Sequence, residues 1–159
     1  MDEKPNRAGP LVGIKVVDLT AMVFGPYATQ VMADLGADVI KVEPPAGDVM
    51  RYVNAGPCAD MSGVFTNINR GKRSIALDLR EEADRTVLHR LIADADVFIH
   101  AMRHKAITRL GLDYEAVRAI RPDIVYTNST ATVGGVPMGT SLPMTIRSRP
   151  NAAFHTCSP

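Results

Sequence analysis

Residues 13–43 read GIKVVDLTAMVFGPYATQVMADLGADVIKVE, and this stretch decides the fold. Ile14, Val16 and Val17 form a short apolar run ending at Asp18, the pattern of a strand buried on both faces. Gly25 and Pro26 open a helix, with Pro26 placed where its missing N–H costs nothing. Ala28, Val31, Met32 and Leu35 recur at helical spacing, which predicts that this face of the helix is buried. Gly36 stands where a helix ends in a left-handed residue. Asp38 to Glu43 (DVIKVE) is the second strand. Two strands joined by a helix lie parallel, with a right-handed crossover. Ligands of such units gather at the carboxyl ends of the strands, an edge that here holds Asp18, Thr20, Gly25 and Glu43.

The chain around this unit has 159 residues, 46% of them apolar, which suffices for one domain with a real core. A net charge of +1 gives no general attraction to nucleic acid or to a membrane surface. No apolar run approaches the roughly 18 residues of a membrane span. The first ten residues, MDEKPNRAGP, are polar, lack the apolar core of a signal peptide and read as a loose leader. A cytoplasmic protein is expected, with Cys58 and Cys157 as free thiols. There is no CxxC pair to suggest zinc or redox chemistry.

After the opening unit, residues 44–63 are rich in Pro and Gly, lack periodicity and read as a long loop. Asn69 to Gly71 predicts a turn, and Ser74 to Leu77 a third strand. Asp78 with Glu81 predicts a capping box for a helix whose buried face is Val87, Leu88, Leu91 and Ile92. Val97 to Ile99 is a fourth strand. Ile107 to Leu110 suggests a helical turn closed by Gly111, and Asp113 caps a further helix that Pro122 stops. Ile124 to Tyr126 is a fifth strand. Strands alternating with helices predict an open, mostly parallel, Rossmann-like α/β sheet with flanking helices. Beyond Asn128 the character changes. Asp123 is the last acidic residue, and residues 131–159 form an irregular tail punctuated by Pro137, Pro143, Pro150 and Pro159.

Four groups of residues carry candidate chemistry. The first loop, TAMVFGP, has one glycine and a proline where a dinucleotide fingerprint needs G-x-G-x-x-G, so an NAD site is not expected although Glu43 sits where a ribose-binding acid would. Arg70, Lys72, Arg73 and Arg80 read either as a solvated edge or as phosphate recognition, to which Arg brings a bidentate fork and Lys a point charge. His100, Arg103, His104, Lys105 and Arg109 follow the fourth strand. With no acidic or thiol ligand close by, they read as a cationic lip for a polyanion and not as a metal site. Asp18 reads as a loop-fixing carboxylate that accepts from nearby backbone N–H groups. No Ser–His–Asp or Cys–His arrangement can be assigned, so no catalytic residue is expected among those present.

The segments PLVGIKVVDLT, GPYATQVMADLGADVIKVEPPAGD, NRGKRSIALDLR and ADVFIHAMRHKAITRLGLDYEAVRAIRPDIVYTN, in this order, closely resemble the family III CoA-transferases of the CaiB/BaiF type. The likeness runs from about Pro10 to Asn128. It implies that residues 11–130 are the amino-terminal part of a large domain that binds coenzyme A, and that a second domain and an interlocked homodimer complete the family's architecture. It implies acyl-CoA and a carboxylic acid as substrates, with no metal. It assigns Val23 and Phe24 to the arm of CoA, and LDLR, Leu77, Asp78, Leu79 and Arg80, to a CoA-contacting segment. Arg109 resembles a family phosphate-binding arginine and Arg103 the arginine of an NFRPG-like turn. Ala101, His104 and Lys105 depart from that turn, where the family has Asn, Pro and Gly. Alternative readings within the same likeness are a residual CoA-binding module and a racemase or dehydratase.

The family's transferases use an aspartate whose carboxylate attacks the acyl-CoA thioester and then carries CoA as a thioester. The resemblance puts it within residues 131–155, where this chain has no Asp. A shifted reading frame accounts for that. Joining the last base of each codon to the first two of the next, Met138 with Gly139 forces a glycine codon, and Met144 with Thr145 forces an aspartate codon. With permitted choices at the free bases, the sequence from Val136 onward becomes GPYGDKPAYDDTIQA, the family's catalytic segment. The expectation is a truncated, frameshifted chain, inactive alone.

Overall fold

The structure is a computed structural model that describes residues 8–129 and 146–147. The first seven residues of the expected leader, Cys157 and the expectations for the tail lie outside the described residues, apart from residues 146–147. Five parallel strands form the sheet: β1 (Lys15–Leu19), β2 (Asp38–Glu43), β3 (Arg73–Ala76), β4 (Val97–His100) and β5 (Val125–Asn128). A two-residue strand, β6 (Ile146–Arg147), pairs antiparallel to β5. The order across the sheet is β3-β2-β1-β4-β5-β6. Val16 faces Val39 on one side and Val97 on the other, which aligns the carboxyl ends of the central strands at one edge.

The helices α1 (Phe24–Asp34), α2 (Gly63–Ile68), α3 (Glu82–Ala93), α4 (His104–Arg109) and α5 (Tyr114–Ile120) connect the strands. Because side chains alternate across a strand, the central strands β1, β2 and β4 feed two cores. Val16, Val39 and Ile99 pack with Met32 and Ala33 of α1. Val17, Leu19, Val42, Phe98 and Tyr126 pack with Leu88 and Ile92 of α3, Ile107 of α4 and Val117 of α5. Strands buried on both faces need apolar residues at nearly every position, hence their short unbroken runs.

Several expectations are met in detail. Gly36 has φ +101 and donates to the Ala33 carbonyl at 3.0 Å, closing α1. Asp113 caps α5 by accepting from the Ala116 amide at 3.1 Å. Three expectations are corrected. The buried side of α1 is Gly25, Pro26, Thr29 and Gln30, whereas Ala28, Val31 and Leu35 are exposed and Met32 is half-buried. The helix is turned this way because Thr29 bonds into the end of β1 and Gly25 packs on Thr20, so polar anchoring outweighs the apolar stripe. Residues 44–63 are not structureless. They hold a 3-10 turn at Val49–Tyr52 capped by Asp48, and Ser62 then caps α2 through the Phe65 amide. Segments this short show no period in sequence. Finally, Asp78 and Glu81 form no capping box. Helix α3 starts at Glu82 without a side-chain cap, and the Asp78 carboxylate turns instead to Arg80.

Candidate functional site

The sheet order reverses direction between β1 and β4, because the chain steps outward through β2 and β3 and then returns to the other side of β1. Loops leaving adjacent strands on either side of such a switch point diverge and leave a crevice at the carboxyl edge. Such a crevice would lie here between residues 20–26, the loop after β1 with the first turn of α1, and the segment after β4, residues 101–109.

The first loop is built on buried charge. Asp18, fully buried, accepts from the Thr20 amide at 2.8 Å and from the hydroxyls of Thr20 and Thr29, both at 2.5 Å. This is the loop-fixing role read from its position. Lys72 bonds the same carboxylate at 3.1 Å and the Pro26 carbonyl at 2.8 Å. Burial pulls the Lys72 ammonium below its ordinary range, and the Asp18 carboxylate opposes that pull. Gly25 lies so close to Thr20 that a Cβ there would stand 2.4 Å from the Thr20 Cβ, so the closed loop requires glycine. Between these anchors Met22 takes φ +68, and Val23 and Phe24 are 40% and 77% exposed.

The end of β2 is built the same way. Lys41 donates to the Thr20 carbonyl at 2.8 Å and pairs with Asp48 at 2.8 Å, both side chains buried. Glu43 takes both arms of the Arg51 guanidinium at 2.7 Å, the Ser74 hydroxyl at 2.5 Å and the Asp48 amide at 2.9 Å. Burial works to raise the Glu43 carboxyl, but the bonds from Arg51, Ser74 and Asp48 outweigh it and hold the group at about 2. The Arg51 guanidinium also lies 3.9 Å from the centre of the Phe65 ring. Glu43 is therefore a structural ion-pair residue, with no lone pair left for a ribose.

The basic segments divide sharply. Lys72 is buried against Asp18 and so is withdrawn from phosphate recognition, while Arg70 and Arg73 pair at the surface with Asp34 and Asp38. Arg80 is paired with Asp78 at 2.6 Å but remains 85% exposed. The Arg80 guanidinium and amide hold the Asp78 carboxyl at about 2. Leu77 is buried in the core, Asp78 and Leu79 are half-buried, and Arg80 is the exposed residue of LDLR. Arg103, His104, Lys105 and Arg109 are exposed on and before α4, and among the described residues no hydrogen bond or ion pair engages the charged ends of Arg103, Lys105 and Arg109. His100 does not belong to this lip. It is 1% exposed, its Nδ1 accepts from the Met102 amide at 3.1 Å, and burial pushes it down to about 4, so it is neutral. Among the described residues no three His, Cys, Asp or Glu side chains group as a metal site, and no helix is long and apolar enough to cross a membrane.

The residues that sequence reasoning missed are the partners inside the edge: Thr29, Lys41, Asp48, Arg51 and Ser74. One signal was present. Lys41 and Glu43 alternate with Ile40 and Val42 in a strand suited to burial on both faces, and a buried charge demands a partner. The sequence does not say which.

A succinate–glutarate CoA-transferase of Agrobacterium fabrum is 39% identical over 137 residues, covering 82% of this chain and 34% of the relative. An acetyl-CoA:oxalate CoA-transferase of Acetobacter aceti is 41% identical over 124 residues, covering 77% of this chain and 31% of the relative. Among solved structures, a CaiB/BaiF family protein from Brucella suis superposes with a TM-score of 0.70 at 42% identity, over 76% of this chain and 33% of that one. The protein Rv3272 of Mycobacterium tuberculosis superposes with a TM-score of 0.75 at 38% identity, over 87% of this chain and 38% of that one. The chain thus spans about a third of the length of the curated relatives it matches. The family model covers residues 11–132, which take in all five parallel strands and both sides of the crevice, and the chain belongs to CoA-transferase family III.

Proposed function

We propose that residues 11–130 are the amino-terminal part of a CoA-binding domain, and that CoA lies along the carboxyl edge of the sheet. The observation that carries this reading is the contrast between committed and free cations. Around β2 and β3, Lys41, Arg51 and Lys72 are spent on buried carboxylates, while among the described residues Arg103 and Arg109, before and on α4, have no ionic partner, and Arg80, though paired with Asp78, stays exposed at the same edge. Three exposed guanidiniums suit the phosphates of CoA, a polyanion. Val23 and Phe24, apolar and exposed at the switch point, suit its arm. The β3 and β4 ends are three strand spacings apart, roughly 14 Å, a span that an extended ligand bridges and a single phosphate does not.

In the whole family protein this edge serves transfer of CoA from an acyl-CoA to a carboxylic acid, through an aspartyl-CoA thioester. Tail residues 131–159 hold no Asp, and we read them as a shifted frame of the catalytic segment, so the chain by itself binds CoA without transferring it. A cytoplasmic setting and a homodimer belong to the same reading. Calorimetric titration of the purified chain with CoA tests it. Arg80→Ala is expected to weaken binding about tenfold, the worth of one charge-assisted contact, and no heat with the unaltered chain would refute the CoA site. Turnover between an acyl-CoA and a free acid by the chain alone would refute its inactivity. The gene sequence past codon 130 decides the frame.

A further inference from the structure

We propose that the buried Asp18–Lys72 pair is a positioning element for CoA, holding the 20–26 loop in the shape that presents Val23 and Phe24 to the coenzyme's arm. This rests on the CoA reading above and adds to it a role for two residues that cannot touch the ligand. Solvent reaches 2% of the Lys72 side chain and none of Asp18. The Lys72 ammonium has three protons and three acceptors: Asp18 at 3.1 Å, the Pro26 carbonyl at 2.8 Å and the Asn69 side chain at 2.8 Å. It has no capacity left for a phosphate.

What the pair does hold is both ends of the 20–26 segment, Thr20 just after β1 and Pro26 in the first turn of α1. Asp18 binds Thr20 through its amide and hydroxyl, and Lys72 binds Pro26 through its carbonyl. Lys41 adds a bond to the Thr20 carbonyl at 2.8 Å, and Thr29 of α1 completes the Asp18 shell. Residues 21–24, between the two ends, are all exposed. Met22 sits there at φ +68, a conformation that a residue other than glycine keeps only where its surroundings impose it. Exposed apolar side chains on a backbone fixed in advance bind with less ordering cost than the same side chains on a mobile loop. Because Lys72 lies 54 positions from Asp18, between α2 and β3, the shape of the first loop depends on a distant part of the chain.

The test uses the full chain carrying Asp18→Asn and Lys72→Met together, which leaves no buried charge unpaired. Two ligands are titrated by calorimetry: CoA, and adenosine bisphosphate, which has the nucleotide end without the arm. Hydrogen exchange follows the peptide covering residues 20–27 beside peptides from β2 and β4. Affinity for CoA is expected to fall about tenfold while that for adenosine bisphosphate holds. Loop amides are expected to exchange at least about tenfold faster while the strands keep their protection. Equal losses for both ligands, or unchanged loop exchange, would overturn the proposal. If the double variant unfolds, Thr29→Val decides: it keeps the charge pair, removes one bond, and must still speed loop exchange selectively. An unaltered chain that does not bind CoA refutes the reading beneath. Binding by the unaltered chain with no change in the variant refutes the positioning role alone.

Discussion

Replacing Glu43 by Gln should produce a loss of stability that depends on pH in a defined way. The carboxylate is 3% exposed and takes a two-pronged bond from Arg51 at 2.7 Å, together with bonds from Ser74 and the Asp48 amide. Its folded-state value is held at about 2 against an ordinary 4.5. At about 1.4 kcal/mol for each tenfold change in proton affinity, that depression is worth about 3 kcal/mol. The sign follows from the direction: a depressed carboxyl stabilises the fold fully above its unfolded value and loses that contribution as pH falls toward the folded one. Urea unfolding followed by circular dichroism should therefore place Glu43→Gln about 3 kcal/mol below the unaltered chain near neutral pH. Near pH 3 about 1 kcal/mol of the gap should remain. The half-buried Asp78 carboxyl, also held at about 2, is present in both proteins and cancels in the difference. A gap that stays constant from neutral pH to pH 3, or one below about 1 kcal/mol at neutral pH, would refute the assignment of this stability to the ionised pair.

The buried Lys41–Asp48 pair should respond differently to one and to two changes. Lys41→Met leaves Asp48 buried without a cation and should cost about 3–5 kcal/mol, and adding Asp48→Asn should recover much of it, read as a double-mutant cycle in urea. Phe24→Ser should leave stability within about 0.5 kcal/mol, because the ring is 77% exposed, while calorimetry records weaker binding of CoA. Phe98→Ala, at a fully buried position stacked on Tyr126, should cost about 3–5 kcal/mol in the same urea assay.

Much of this fold is legible along the chain because its signals are local. A run such as Ile14 to Val17 needs no partner to be read as a buried strand, and Gly36 or Asp113 marks a helix end through its own backbone or side chain. The errors fall where a neighbouring charge, a distant segment or burial claims a residue that the local pattern assigns elsewhere. The apolar stripe of α1 predicts burial of Val31 and Leu35, but Thr29 is claimed by Asp18, and the helix turns its stripe outward. Asp78 has the spacing of a capping box with Glu81, but a guanidinium two residues away makes charge-assisted bonds that an uncharged cap does not match. His100 has the charge pattern of its neighbours, but it ends a central strand and is desolvated there.

The sequence by itself determined the alternation of strands and helices, the family likeness, and the set of cations available to a polyanion. It did so because period, capping and motif are properties of neighbours along the chain. Only the tertiary structure decided the strand order, the switch point between β1 and β4, and which cations are free. Arg70, Lys72 and Arg73 read like Arg80 and Arg109 in a list of residues, yet the first three meet carboxylates brought to them by other strands and helices. Charge is written in the sequence. Whether it is spent inside the protein or left for a ligand is set by what folding places beside it.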